Sequence, residues 1–314
     1  MTAAASISVV VPALDAGEVI DDCLDAILAQ EQCPSFDVWI ACGPSHDDTE
    51  ARVRARSAVD DRLHVVANPG GRTAAGLNAA VAASEGELVV RVDAQARIPP
   101  GYLARLASTS AATGAANVGG LQRPVGTTPA QRAIAAAMAS QFGAGPAAFR
   151  SGGGSGPVDT VYLGAFRRSA LLAVGGYDER LVRNQDYELN WRLRAAGHTV
   201  WLDAEVAVDY RPRGRLDALA SQYRQYGRWK RRVVVAHPRS LRLRQLAAPL
   251  LVLGLLTSAG LAVMANPLAL VVPGLYAGAV TAAALRVRGV SRRRVAAAFV
   301  TMHVSWGIGF LFTR

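Results

Sequence analysis

ISVVVPALDAGEVIDDCLDAILAQEQCPSFDVWIAC (7–42) decides the fold. An apolar run, ISVVVP (7–12), leads into a segment where Val19, Ile20, Cys23, Leu24, Ile27 and Leu28 recur at helical spacing, and a second run, FDVWIA (36–41), follows. β-branched residues suit a pleated strand, whereas a 3.6-residue apolar period makes a helix with one face to bury. Strand, helix and strand in that order form a βαβ unit, whose two strands run parallel.

The alternation continues outward. LHVVA (63–67) and ELVVRVD (87–93) read as further strands, and 73–83 repeats the helical spacing with Ala and Leu, so the order is βαβαβαβ. That order predicts an α/β fold with a doubly wound, mainly parallel sheet and a ligand crevice at the carboxyl ends of its strands. After Leu121 the pattern loosens into an Ala-rich helix (129–141) and the glycine-rich loop FGAGPAAFRSGGGSGPVD (142–159). TVYLGAF (160–166) is strand-like, Gln185 to Ala196 forms a helix closed by Gly197, and TVWLD and EVAVDY give two more strands.

Composition separates the tail from this body. Hydrophobic residues are 51% and charged residues 18%, too apolar for a disordered chain. Residues 1–210 hold 17 basic and 23 acidic side chains, a net of −6, while 211–314 holds 17 basic ones against Asp217 alone, a net of +16. Arginine is the default cation and Lys230 is the sole lysine. The positive charge is thus a property of the tail, and the acidic body argues against nucleic acid as a partner. Three cysteines, Cys23, Cys33 and Cys42, lack the spacing of a zinc site or disulfide framework, and MTAAASISVVVPALDAG lacks the basic start of a signal peptide.

Within the tail, 246–264, 267–285 and 295–312 are free of charge over the 17–25 residues that a bilayer requires, which predicts three transmembrane helices. The first two are joined by Ala265 and Asn266, and the connector RVRGVSRRR (286–294) carries five arginines. With the body in the cytoplasm, both arginine-rich connections fall on the inner face, as the positive-inside rule requires. RLDALASQYRQYGRWKRR (215–232) mixes arginines with Leu216, Leu219, Tyr223, Tyr226 and Trp229, a pattern that suits a helix in the membrane interface. The expected organisation is a cytoplasmic catalytic domain (1–210), a basic amphipathic segment (211–245) and a membrane domain (246–314) in a cell inner membrane.

Several residues could carry chemistry. Asp93 ends its strand at the crevice edge, where a carboxylate can hold a divalent cation against a diphosphate. NPGGRTAAGLN (68–78) sets glycines, Arg72 and a possible Thr73 cap before a helix, a combination that suits either a phosphate or a plain loop. No Walker A or G-x-G-x-x-G pattern occurs. In RNQDYELNWRLRAAG (183–197), Asp186 lies in the first helical turn beside Glu188 and can deprotonate a hydroxyl if it faces the crevice; otherwise it is a helix-capping acid with a solvated neighbour. GGYDER (175–180) adds Asp178.

Together these stretches resemble the family 2 inverting glycosyltransferases of GT-A fold, in particular the membrane-attached, succinoglycan-type exopolysaccharide branch. The resemblance is carried by VVVPALDAGEVIDDCLDAI, by GPSHDDT (43–49) in the place of the base loop, and by NPGGRTAAGLNAAVAASEGELVVRVDAQARIPPGYL. It continues through TVYLGAFRRSALLAVGGYDERLVRNQDYELNWRLRAAG and ends with QYGRW (225–229). The resemblance implies transfer of a sugar from a nucleotide-sugar donor to a lipid-linked or polysaccharide acceptor at the membrane. By the same token Pro12, Glu18, Arg72, Asn78 and Asp93 lie on the donor side, and Asp186 is the base. Asp178, Gln225, Arg228 and Trp229 fall on the acceptor or diphosphate side. Asp93 and Gln95 hold Mg²⁺ or Mn²⁺, with Gln95 standing where the second acid of an Asp-x-Asp motif usually sits. Cys42 and Gly43 replace the aspartate that in many relatives reads a uracil ring. A non-catalytic, membrane-anchored nucleotide- or partner-binding module is the alternative reading.

Overall fold

A computed structural model describes residues 6–145 and 147–312. The chain divides into two compact units, Met1–Gln122 with Gly152–Asp209, and Arg123–Ser151 with Tyr210–Arg314.

The first unit follows the predicted alternation. It runs β1 (Ile7–Ala13), α1 (Ile20–Leu28), β2 (Phe36–Cys42), α2 (Thr49–Ser57), β3 (Leu63–Ala67), α3 (Thr73–Ala83), β4 (Leu88–Arg91), α4 (Tyr102–Thr113) and β5 (Asn117–Pro124). The chain then passes through α5 (Pro129–Ala139), α6 (Gln141–Ala144) and α7 (Ala148–Ser151) of the second unit and returns with β6 (Gly156–Pro157), β7 (Tyr162–Arg167), α8 (Arg168–Ala173), α9 (Gln185–Ala195) and β8 (Val200–Tyr210). The sheet order is β3-β2-β1-β4-β7-β5-β8-β6. The first four strands are parallel and β7 is antiparallel to both β4 and β5, so the sheet is mixed.

The core explains the strand sequences. Val9 and Val11 of β1, Val38 and Ile40 of β2 and Val90 of β4 pack with Ile20, Leu24 and Ile27 of α1. Burying each of those three α1 side chains contributes about 2 kcal/mol. Two expectations change. TVWLD and EVAVDY form one strand, β8, running on through Ala204, and Arg72 rather than Thr73 holds the capping position of α3.

The second unit is helical. α5, with Thr128 and Gln131 forming a capping box, joins α10 (Leu216–Ala236), α11 (Ala247–Val263), α12 (Val271–Arg286) and α13 (Arg292–Phe312). Its core gathers Ile134 and Met138 of α5, Leu219 and Tyr223 of α10, Val280 of α12, and Val295, Phe299 and Met302 of α13. Lys230 is buried on α10 and its Nζ donates to the Ser240 carbonyl at 3.3 Å. Three segments, Leu243–Val263, Pro267–Arg286 and Arg292–Phe312, are long and apolar enough to cross a membrane. Leu250, Leu256, Leu270 and Leu275 are exposed on the first two, an apolar surface that the described residues leave uncovered.

Candidate active site

Parallel strands bring their following loops to one edge, where Pro12, Glu18, Arg72 and Asp93 of the first unit lie. The loops after β1 and β2 are laced together: Ala16 N–H donates to Thr49 Oγ1 at 2.7 Å, Gly17 N–H to Asp47 Oδ2 at 2.8 Å and His46 N–H to Asp15 Oδ1 at 2.7 Å. The Thr49 hydroxyl and the Gly17 amide hold the Asp47 carboxyl below its ordinary range. Pro12 lies half-buried at the end of β1 and Glu18 is exposed just before α1.

Gly43 has a geometric cause. A side chain there would start 3.0 Å from Leu14 Cδ1 and 3.1 Å from Gly71 Cα, so an aspartate would need these neighbours to give by a few tenths of an ångström. Cys42, Gly43, Pro44, Asn68 and Pro69 line a cavity of about 210 Å³, and burial pushes the Cys42 thiol up to about 11, which keeps it neutral. All three cysteines are free. Gly71, with φ +61°, turns the chain into α3 and leaves Arg72 exposed at that helix's head.

Asn78 is fully engaged within the protein. Its Nδ2 donates to the Tyr177 carbonyl and to Glu179 Oε1, both at 2.9 Å, and its Oδ1 accepts from Tyr177 N–H at 2.8 Å. It therefore pins the turn that precedes α9 to the side of α3. Asp178 in that turn pairs with Arg180 at 2.8 Å, and this bond lowers its pKa.

The centre of the site is a residue that sequence reading passed over. Arg91, the last residue of β4, is only 7% exposed, yet its guanidinium reaches two carboxylates: Nε and Nη2 bind Asp93 Oδ1 at 2.8 Å, and Nη1 binds Asp186 Oδ1. The Tyr177 ring lies 5.9 Å from the same guanidinium. Burial opposes the arginine's charge, but Asp186 and Asp93 outweigh it and hold Arg91 protonated. The one signal in the sequence was a charge inside the apolar strand ELVVRVD, because a buried arginine requires partners.

Asp93 and Asp186, separated by 93 positions in sequence, thus share one cation. Desolvation raises the Asp186 pKa and the neighbouring charge of Asp93 adds to the effect, while Arg91 opposes it. Asp186 still keeps 42% of its side chain accessible, so a hydroxyl can reach it. Its neighbour Glu188 is not solvated: it is 3% exposed and makes a two-pronged pair with Arg192, with both bonds at 2.7 Å.

Among the described residues no group of three or more His, Cys, Asp or Glu could cage a metal. Asp93 is 19% exposed at the edge and Gln95 is exposed beside it. One carboxylate and one amide carbonyl fit a hard divalent cation that takes its remaining ligands from water and a diphosphate. In the second unit Gln225 is exposed on α10, Arg228 is half-buried and Trp229 is buried, with Arg232 4.3 Å from its ring.

The mixed, mainly parallel sheet has the order of a GT-A fold, and residues 4–231 match the family described as glycosyltransferase like family 2. The chain belongs to this family and is a glycosyltransferase. Over 308 residues it is 32% identical to the succinoglycan biosynthesis protein ExoA of Rhizobium meliloti (strain 1021), with 96% of this chain aligned to 93% of that one. The fold is shared with mannosyltransferase PcManGT from Pyrobaculum calidifontis, solved with GDP-Man and Mn²⁺, at TM-score 0.69 and 19% identity, covering 98% of this chain and 88% of that one. TarS 1–349 of S. aureus, solved with UDP-GlcNAc, matches at TM-score 0.51 and 15% identity over 73% of this chain and 66% of that one.

Proposed function

We propose that the protein moves a glycosyl unit, with inversion, from a nucleoside-diphosphate sugar to a hydroxyl on a lipid-linked or growing polysaccharide acceptor during exopolysaccharide synthesis. Asp186 is the general base: it takes the proton of the acceptor hydroxyl as that oxygen attacks the anomeric carbon and the nucleoside diphosphate departs. Asp93 and Gln95 hold Mg²⁺ or Mn²⁺, which when bound neutralises the charge that develops on the diphosphate. Pro12, Glu18, Arg72 and Asn78 border the donor, Asn78 through the backbone it fixes. Asp178, Gln225, Arg228 and Trp229 serve the acceptor or diphosphate.

The observation that carries this reading is the placement of Asp186 and Asp93 on either side of one guanidinium at the strands' carboxyl edge. The relatives lend chemistry to it: one is a succinoglycan biosynthesis protein, and one was solved with a nucleotide sugar and Mn²⁺. Residues 1–210 form the catalytic part on the cytoplasmic side of an inner membrane, 211–245 the basic interfacial segment, and 246–314 the multi-pass anchor.

The test is release of nucleoside diphosphate by the full-length protein in detergent, across a panel of UDP- and GDP-sugars with Mn²⁺ and a lipid-linked acceptor extract. Asp186→Asn, which leaves Arg91 its pair with Asp93, is expected to stay folded and to lose transfer by about two to four orders of magnitude, the range that general-base removal commands. Wild-type turnover in that variant would rule the assignment out.

A further inference from the structure

Arg91 occupies an expensive position. It stands in a central strand, paired in register with Val10 of β1, and it is almost wholly buried. A buried guanidinium persists only where its partners compensate its lost hydration. Here the partners are the two carboxylates on which the reaction depends, and each gives one oxygen to it.

This arrangement has a cost for cation binding. Gln95 is uncharged, so at positions 93 and 95 only Asp93 offers an anionic ligand. A fixed positive charge 2.8 Å from Asp93 Oδ1 opposes any second cation at that carboxylate, all the more where water is scarce. A nucleoside diphosphate brings negative charge of its own and can offset that opposition.

Taking Asp186 and Asp93 in the roles given above, we propose that Arg91 is a positioning residue that doubles as a resident cation. It holds Asp186 opposite Asp93 and, by occupying Asp93 Oδ1, keeps the nucleotide-free site from binding a divalent metal tightly. The metal therefore enters with the donor's diphosphate rather than ahead of it. The guanidinium fork suits this double duty, because its separate N–H groups point at two acceptors at once, which an ammonium on a flexible stem does not reproduce.

The experiment titrates Mn²⁺ alone into full-length protein in detergent and reads free Mn²⁺ by paramagnetic resonance. Wild type is compared with Arg91→Gln, Arg91→Met and Arg91→Lys. Loss of the charge in the first two is expected to tighten Mn²⁺ binding roughly tenfold, the scale of one charge removed from a partly screened site. Arg91→Lys keeps the charge and is expected to bind Mn²⁺ as wild type does, yet to transfer slowly because Asp186 is no longer held. A purely structural arginine would produce no gain in affinity. Should Gln or Met prevent folding at this position, millimolar Mn²⁺ is expected to restore a cooperative unfolding transition, because the ion fills the place the guanidinium left.

Wild-type Mn²⁺ affinity in folded Arg91→Gln and Arg91→Met, or failure of Mn²⁺ to restore an unfolded variant, overturns this inference and leaves the base assignment intact. Full transfer by Asp186→Asn would do the reverse: it removes the base and leaves the Mn²⁺ result standing.

Discussion

Nearly two turns beyond Asp186 on the same helix, Arg192 anchors α9 from within. It pairs with buried Glu188 and donates to the carbonyls of Val174 and Gly176, so a single side chain ties α9 to the turn in front of it. Removing one partner of a buried pair strands the other's charge in the interior and costs about 3–5 kcal/mol. Arg192→Leu is therefore expected to lower the thermal unfolding midpoint well below that of an exposed-pair control such as Arg215→Leu, whose partner Asp217 lies in solvent. Equal midpoints in the two variants would mean that Glu188 finds another cation. Such pairings are hard to read from sequence. The i,i+4 spacing of Glu188 and Arg192 is visible in the sequence, but their burial depends on how the preceding turn at 174–177 folds back onto α9, which spacing does not reveal.

At the scale of elements, small residues decide how the helices meet. A Cβ on Gly227 of α10 would lie 2.1 Å from the Trp306 carbonyl of α13, and one on Gly309 would lie 2.1 Å from the Arg224 carbonyl, so these two backbones touch. Length and hydropathy qualify three segments to span a membrane, but packing sets the third apart: 33% of its apolar window is buried within the protein, against 17% for each of the others. A helix bearing Arg224, Arg228, Arg231 and Arg232 lies along it, and each arginine drawn to a bilayer centre costs about 2.5–3.5 kcal/mol. That cost makes the third of the three expected spans the one to test. With all three crossing, a fluorescent protein fused after Arg314 is expected to stay dark and an alkaline phosphatase fusion to be active. The opposite pattern would mean that α13 stays with α10 at the interface.

The same contrast explains what could be read in advance. β1 to β4 and their helices were legible because each buries a face of regular period against its immediate neighbours. β5 and the continuous β8 were not, because Gly119, Gly120 and Ala204 break the apolar period, and those strands are specified by partners distant in sequence. Asp93 and Asp186 are singled out by their motifs, whereas Arg91 stands as an isolated charge in a valine strand. Only the folded sheet places it between Asp93 and Asp186.

For the molecule as a whole, acid is the revealing stress. Arg62 holds the Asp60 carboxyl down to about 2, and Arg180 lowers that of Asp178. A carboxyl whose folded pKa is depressed adds stability that is complete above its unfolded value of about 4 and vanishes as pH falls through the folded one. Asp186, raised instead, runs the other way and costs stability as pH climbs through its folded pKa. The unfolding midpoint is expected to drop between about pH 4 and pH 2, and less steeply in Arg62→Leu. A midpoint that holds down to pH 2 would show that these pairs contribute nothing.

The cations have a practical corollary as well. Of 34 basic side chains only one is an amine, and Lys230 is 3% exposed, with its nitrogen turned to the Ser240 carbonyl. Reagents that acylate or cross-link lysine have no accessible target among these side chains. A lysine introduced on the exterior would then be the one reachable lysine side chain for such reagents.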